Sequence, residues 1–240
     1  MKLYNDDCLV ALKNIPDESV DCVITDCPYH IVEGGCTNLG FKNMSDDIEY
    51  IKKGKFFKYN DIKFEEWLPE VYRVLKQDTH CYIMVNARNL AELQTKAEKV
   101  GFKFQNILIW FKQNATPNRY YLNAYEMILM LRKGKSKTIN NKGTKNVLQI
   151  NNIIGNKTHP TEKPVELMEI LVDNSSSVGG VVLDLFMGTG STGVACKRLG
   201  REFIGIEIDK KYFDIAKERI ETGEIKRKDE FSIFDFIGDE

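Results

Sequence analysis

The stretch Val181-Val-Leu-Asp-Leu-Phe-Met-Gly188-Thr-Gly190-Ser-Thr-Gly193 decides the fold class. It opens on an apolar run of the kind that forms a central strand covered on both faces. It then passes into glycines that permit a tight turn and the close approach of a ligand, and small residues begin a helix. Working outward, the strands read as Val181–Phe186 itself and Lys2–Tyr4, Val20–Thr25, His80–Val85, Gln105–Phe111, Tyr125–Leu131 and Glu202–Ile208. Helical patterns lie between most of them. Phe64, Trp67, Leu68, Val71, Tyr72 and Leu75 share one face, as do Tyr212, Ala216 and Ile220. Asn89–Val100 reads as a charged helix stopped by Gly101, and Pro164 opens another that runs to about Asp173. Strands alternating with helices predict an α/β fold, a doubly wound, mostly parallel, seven-stranded sheet.

The chain has 240 residues, enough to bury a large core without covalent staples. Hydrophobic residues at 42% and charged residues at 29% exclude fibrous and disordered classes. No apolar run approaches the ~20 residues of a bilayer span, and MKLYNDDC places carboxylates where a signal peptide needs an apolar stretch. The expectation is a cytoplasmic protein with no membrane contact. Six cysteines form no CxxC pair and no zinc-like spacing with histidine, so neither disulfides nor a metal is expected. Residues 30–62 and 133–160 lack periodicity and read as a long loop and as a loop or small insertion, while 222–240 reads as a tail. All three are treated as parts of one domain spanning 1–240.

Gly188-x-Gly190-x-x-Gly193 fits a dinucleotide fingerprint, and Glu207 ends the next strand where a ribose-binding acid belongs. Val194-Ala195 after the last glycine excludes a phosphate-binding P-loop. An S-adenosylmethionine site uses the same architecture, and Asp184 separates the two. A carboxylate at that strand end repels a pyrophosphate and attracts the ammonium of a methionine moiety, and Phe186 adds an apolar wall.

A second strand, Val20–Thr25, ends in Asp26-Cys27-Pro28-Tyr29. Carboxylate, stiffened backbone and aromatic ring thus meet at a carboxyl edge, where α/β sheets bind ligands. The combination suits transfer to an exocyclic amine, whose lone pair is delocalised into its ring. The Asp26 carboxylate and the Cys27 carbonyl would accept the two amine hydrogens, and Tyr29 would stack on a base taken out of its helix. Taken alone, the tetrapeptide is equally well read as an Asp capping a proline turn.

Together these residues resemble the prokaryotic and phage DNA amino-methyltransferases that modify adenine N6 or cytosine N4. Asp26–Tyr29 is similar to the family's Asp/Ser/Asn-Pro-Pro-Tyr/Phe motif, with Cys27 in place of the first proline. Asp184 to Gly190 keeps Asp-x-Phe-x-Gly-x-Gly, and Ser191 follows it. The catalytic motif precedes the cofactor motif, which is the order of the permuted β class. The resemblance implies a Rossmann-like, circularly permuted methyltransferase fold in which Lys2–Tyr4 is the third strand and Tyr125–Leu131 the seventh. It implies S-adenosylmethionine held by Asp7, Asp26, Thr161, Lys163, Asp184, Phe186, Gly188, Gly190, Ser191 and Glu207. His159-Pro-Thr161-Glu-Lys163-Pro164 resembles the element closing over the methionine end.

The implied partner is DNA, with RNA left open, and permuted members are often dimers. A cognate restriction endonuclease is not indicated by the sequence. Asp26 at the first motif position points to adenine N6; cytosine N4 transfer, a non-catalytic DNA-binding module and a nicotinamide oxidoreductase are the rivals. Sequence specificity in this family lies before the Lys-Pro element, here within 133–158. Lysines flank the catalytic motif and fill the insertion: Lys52, Lys53, Lys55 and Lys58 on one side, Lys133 and Lys135 on the other. They suit phosphate contacts, which supply affinity without reading sequence. Reversing the charges of Lys52, Lys53, Lys55 and Lys58 together should weaken DNA binding and flatten its dependence on salt; an unchanged salt slope in a titration series would remove them from the interface.

Overall fold

The computed structural model describes residues 1–28, 62–116, 121–153 and 162–223. Tyr29, Lys52, Lys53, Lys55, Lys58 and Thr161 lie outside the described residues. The strands are β1 (Lys2–Tyr4), β2 (Val20–Asp26), β3 (Leu75–Val85), β4 (Lys103–Thr116), β5 (Asn123–Lys133), β6 (Val147–Gln149), β7 (Val181–Asp184) and β8 (Glu202–Ile206). The helices are α1 (Cys8–Leu12), α2 (Phe64–Val74), α3 (Leu90–Val100), α4 (Val165–Ser175), α5 (Ser191–Leu199) and α6 (Lys210–Thr222).

All eight strands join one sheet in the order β1-β8-β7-β2-β3-β5-β4-β6. Pairing is parallel throughout except where β5 runs antiparallel between β3 and β4. The strands expected as third and seventh thus sit where the permuted order requires: β1 beyond β8, and β5 between the strands next to it. The sheet has eight strands rather than the expected seven. The extra one, β6, pairs with β4 inside the segment read as a loop or insertion. At three residues amid Lys, Asn and Gly, it is too short to carry a period of its own.

Period-2 alternation splits the sheet's side chains between two cores. Val23, Cys81, Ile83, Leu129 and Leu183 face α1, α2 and α3, whose Leu12, Trp67, Leu68, Val71 and Leu93 are fully buried. Ile24, Tyr82, Met84, Trp110, Ile128 and Val182 face α4, α5 and α6. Among the described residues no helix is long and apolar enough to cross a membrane.

Local chemistry sets the helix ends. Asp7 caps α1, its Oδ1 accepting from the Leu9 N–H at 2.7 Å, and Asp209 caps α6. Gly190 precedes α5 with φ 82°, a left-handed conformation that glycine adopts without steric cost. Gly193, one turn on, packs tightly against α6 and β8. A Cβ there would lie 2.4 Å from Ile220 Cδ1 and 2.8 Å from the Phe203 ring. Gly193→Ala should therefore cost about 1–3 kcal/mol through overpacking and lower the thermal unfolding midpoint by several degrees, read by circular dichroism.

Candidate active site

β7 and β2 are neighbours, with Val182 opposite Cys22 and Leu183 opposite Val23. Their carboxyl ends therefore open side by side, at the point where the chain order reverses. Asp184 closes β7 and is 5% exposed. Its Oδ1 accepts from Thr25 Oγ1 at 2.8 Å and from the Phe186 N–H at 3.2 Å, and its Oδ2 accepts from Thr192 Oγ1 at 2.7 Å. Burial raises its pKa to about 6 against the pull of those donors. The carboxyl expected to meet a ligand's ammonium is thus also a joint. It ties the glycine turn to β2 and to the start of α5.

Glu207 follows β8. Its Oε2 accepts from the Gly188 N–H at 2.9 Å and its Oε1 from the Asp209 N–H at 2.8 Å. A hollow beside it is lined by Asp6, Asp7, Cys8, Ile62, Leu185, Phe186, Glu207 and Ile208. Asn5 draws the two chain segments together by donating to the carbonyls of Glu207 and Ile208. Phe186 is held edge-on against Trp67, with ring centroids 5.8 Å apart. The structure thus collects Asp7, Phe186 and Glu207 around one cavity, although they lie up to two hundred residues apart. A Cβ on Gly188 would meet nothing within 4 Å, so the turn borders open space. Carboxylates, an apolar wall and a bare turn suit a nucleoside with free ribose hydroxyls.

On the other side, Asp26 ends β2 half-buried. Its Oδ2 accepts from Lys163 Nζ at 2.5 Å. The Lys163 ammonium lies 3.5 Å from Glu126 of β5, and Glu126 also binds Lys112 of β4. Burial pushes Asp26 above the usual carboxylate range, and Lys163 opposes it. Lys163, which the resemblance places at the methionine end of the cofactor, bonds to Asp26 at the end of β2. Its neighbour Glu162 faces the opposite way, pairing at 2.8 Å with Arg219 of α6. Arg219 also donates to the Thr189 carbonyl and hydroxyl at 2.8 and 2.7 Å. One short segment therefore grips both the catalytic strand and the glycine turn.

Cys27 is buried, and its thiol reaches the Met84 carbonyl at 3.6 Å. Burial pushes that thiol well above its ordinary range, so it stays protonated. The Cys27 side chain is thereby packed against β3.

Two lysines expected to contact DNA are placed elsewhere. Lys133 is buried, donating to the carbonyls of Tyr72 and Leu75 at 2.8 and 2.7 Å. Lys135 is exposed, but its N–H binds Asp78 at the amino edge of the sheet. Because β5 is antiparallel, its end lies roughly 20–25 Å from the edge that carries Asp26. Lys133 is a structural residue, and Lys135 is remote from the site.

Residues 20–218 match the family described as DNA methylase, of the N6/N4 class. The chain belongs to that family. This DNA methylase is 34% identical to the type II methyltransferase M.HinfI of Haemophilus influenzae, over 89% of its own length and 66% of that protein's. It is 32% identical to the type II methyltransferase M2.DpnII of Streptococcus pneumoniae, over 92% of this chain and 90% of the relative. The crystal structure of M1.HpyAVI in complex with SAM superposes with a TM-score of 0.69 and 28% identity, covering 91% of this chain and 98% of that one. A modification methylase of Thermus thermophilus complexed with S-adenosylmethionine superposes at 0.64, with 26% identity over 92% of this chain and 95% of that one.

Sequence reading of the methylase overlooked Thr25, Thr192, Arg219, Glu126 and Lys112. Glu126 and Lys112 had a signal: each continues an apolar alternation, Met130-Ile128-Glu126 and Leu108-Trp110-Lys112, with a charge at the end facing Asp26. Arg219 had none, because a basic residue near a helix end is ordinary.

The buried acids give a pH signature. Burial raises Glu207 from 4.5 to about 7. A carboxyl whose folded value lies above its unfolded one contributes stability below the unfolded value and loses it as pH rises through the folded one. Stability should therefore fall between about pH 4.5 and 7, and Glu207→Gln should flatten that slope in thermal melts across the window.

Proposed function

We propose that the chain transfers the methyl group of S-adenosylmethionine to the N6 amine of an adenine flipped out of DNA. The observation that carries this reading is the adjacency of β7 and β2. It puts the hollow beside Glu207 and the Asp26 carboxylate at one edge, joined by the 2.8 Å hydrogen bond from Thr25 to Asp184. When bound, S-adenosylmethionine supplies an electrophilic methyl on a sulfonium. Asp7, Phe186 and Glu207 hold the nucleoside end of that donor, and the Gly188–Gly190 turn leaves it room. Lys163, bonded to Asp26, stands at the same edge.

The amine is a weak nucleophile while its lone pair is shared with the purine. The Asp26 carboxylate accepts one amine hydrogen and the Cys27 carbonyl the other, which favours a tetrahedral nitrogen with its lone pair free. On gaining a methyl the nitrogen becomes cationic and gives one proton to Asp26, whose raised proton affinity suits that task. Cys27 acts here only through its backbone. Asp at the first motif position favours adenine; cytosine N4 is the alternative product.

Within 133–158, reading of the target sequence falls to residues after β6, which leave the sheet at its carboxyl edge because β6 runs parallel to β4. We place the enzyme in the cytoplasm, acting on DNA there.

Nucleoside mass spectrometry of DNA from cells expressing the chain should show N6-methyladenine, absent in cells expressing Asp26→Ala. N4-methylcytosine instead would reverse the choice of base and keep the mechanism. In vitro, Asp26→Ala should lower turnover by about 10²–10⁴-fold while S-adenosylmethionine still binds; surviving turnover would refute the role of Asp26.

A further inference from the structure

Sheet alternation places three charges on one face of the carboxyl edge. Ile24 leads to Asp26 on β2, Ile128 to Glu126 on β5 and Trp110 to Lys112 on β4, each charge one step beyond a residue of the same core. Lys163 lies over them, bonded to Asp26 at 2.5 Å and 3.5 Å from Glu126. Lys112 closes the row on Glu126, its ammonium 4.5 Å from the Trp110 ring centroid. Negative and positive groups thus alternate across three strands and the Lys-Pro segment.

Four charges gathered in a largely buried row stabilise a fold poorly, since apolar side chains of equal volume avoid their desolvation cost. The row has a consequence at Asp26 instead. An ammonium held on a carboxylate occupies one oxygen and weakens its hold on any proton. Glu126 competes with Asp26 for that ammonium, and Lys112 moderates the competition by neutralising Glu126.

We propose that Glu126 and Lys112 are positioning residues for methyl transfer, dividing Lys163 between two carboxylates so that Asp26 stays free enough to accept the amine. The inference rests on the reading of Asp26 as acceptor. Among the described residues, the charged or titratable groups facing Asp26 are Lys163, Glu126 on β5, Lys112 on β4, the Cys27 thiol and, more remotely, Asp184 on β7. Those facing Glu126 are Lys163 and Lys112. Burial alone would raise Glu126, and the two lysines outweigh it, so Glu126 is ionised when Asp26 titrates.

The two residues then act with opposite sign. Glu126→Gln leaves Lys163 to Asp26 alone, so Asp26 protonates at lower pH. Lys112→Met leaves Glu126 to pull on Lys163, so Asp26 protonates at higher pH. The test is a carbon-13 NMR titration of the Asp26 carboxyl in the full chain without cofactor, its resonance identified by loss in Asp26→Asn. Shifts of about one pH unit, down in Glu126→Gln and up in Lys112→Met, are expected. Both should shrink to less than half in a Lys163→Met background, because the effect runs through that ammonium.

The acid limb of single-turnover methylation of DNA lacking N6-methyladenine and N4-methylcytosine should move with the carboxyl, and Lys112→Arg should restore it. Shifts of the same sign, no shift, or shifts undiminished without Lys163 overturn the proposal. If Glu126→Gln does not fold, Lys112→Met with and without Lys163 decides alone. Turnover surviving in Asp26→Asn would sink the acceptor reading itself; an inactive Asp26→Asn, together with an Asp26 carboxyl that does not move in Glu126→Gln and Lys112→Met, sinks only this inference.

Discussion

The site depends on one buried carboxylate. Asp184 sits where β7 ends, and its hydrogen bonds to Thr25, Phe186 and Thr192 join two strands, a turn and a helix at a single point. A carboxylate removed from water must be supplied with donors or it will hold a proton. Meeting that demand fixes Thr25, and therefore Asp26 beside it, relative to the glycine turn. Those hydrogen bonds thus reinforce the register of β2 against β7 that the strand ladder and the two buried faces set.

Around that joint the chain divides its labour by sheet face and edge. Apolar alternation builds two cores, and at the carboxyl edge the same alternation runs out into charge. The Lys-Pro segment spans the gap, with Glu162 reaching Arg219 beneath the cofactor turn and Lys163 reaching Asp26. A buried pair such as Arg219 and Glu162 is costly to break, since the surviving partner keeps its charge without its counter-ion. Movement of that segment would be felt at once in both halves of the site.

Much of this was legible in the sequence because it is written in short, local signals. The glycine turn, the strand before it and Asp26-Cys27-Pro28 each occupy a few consecutive residues, and their order along the chain revealed the permutation. The pairing of Asp7 with Glu207 across one cavity was accessible only through resemblance, since nothing local links the two positions. β6 escaped because three residues cannot show a period. Lys133 was misread because a lysine in a basic run looks solvated, whereas backbone carbonyls left by the α2–β3 junction needed a donor and took it. The bond from Lys163 to Asp26 was not legible, because spacing says where a segment arrives and not which way its side chains turn.

The strand order also fixes a timetable. Among the described residues β1 pairs only with β8, two hundred residues later, and the cavity beyond their ends takes Asp7 from the segment after one and Glu207 from the residue after the other. While the chain is being made, β2 and β3 can pair early, but the hollow lacks Glu207 and Ile208 until residues beyond 206 leave the ribosome. A nascent chain can thus carry Asp26 on a paired strand long before the hollow is complete.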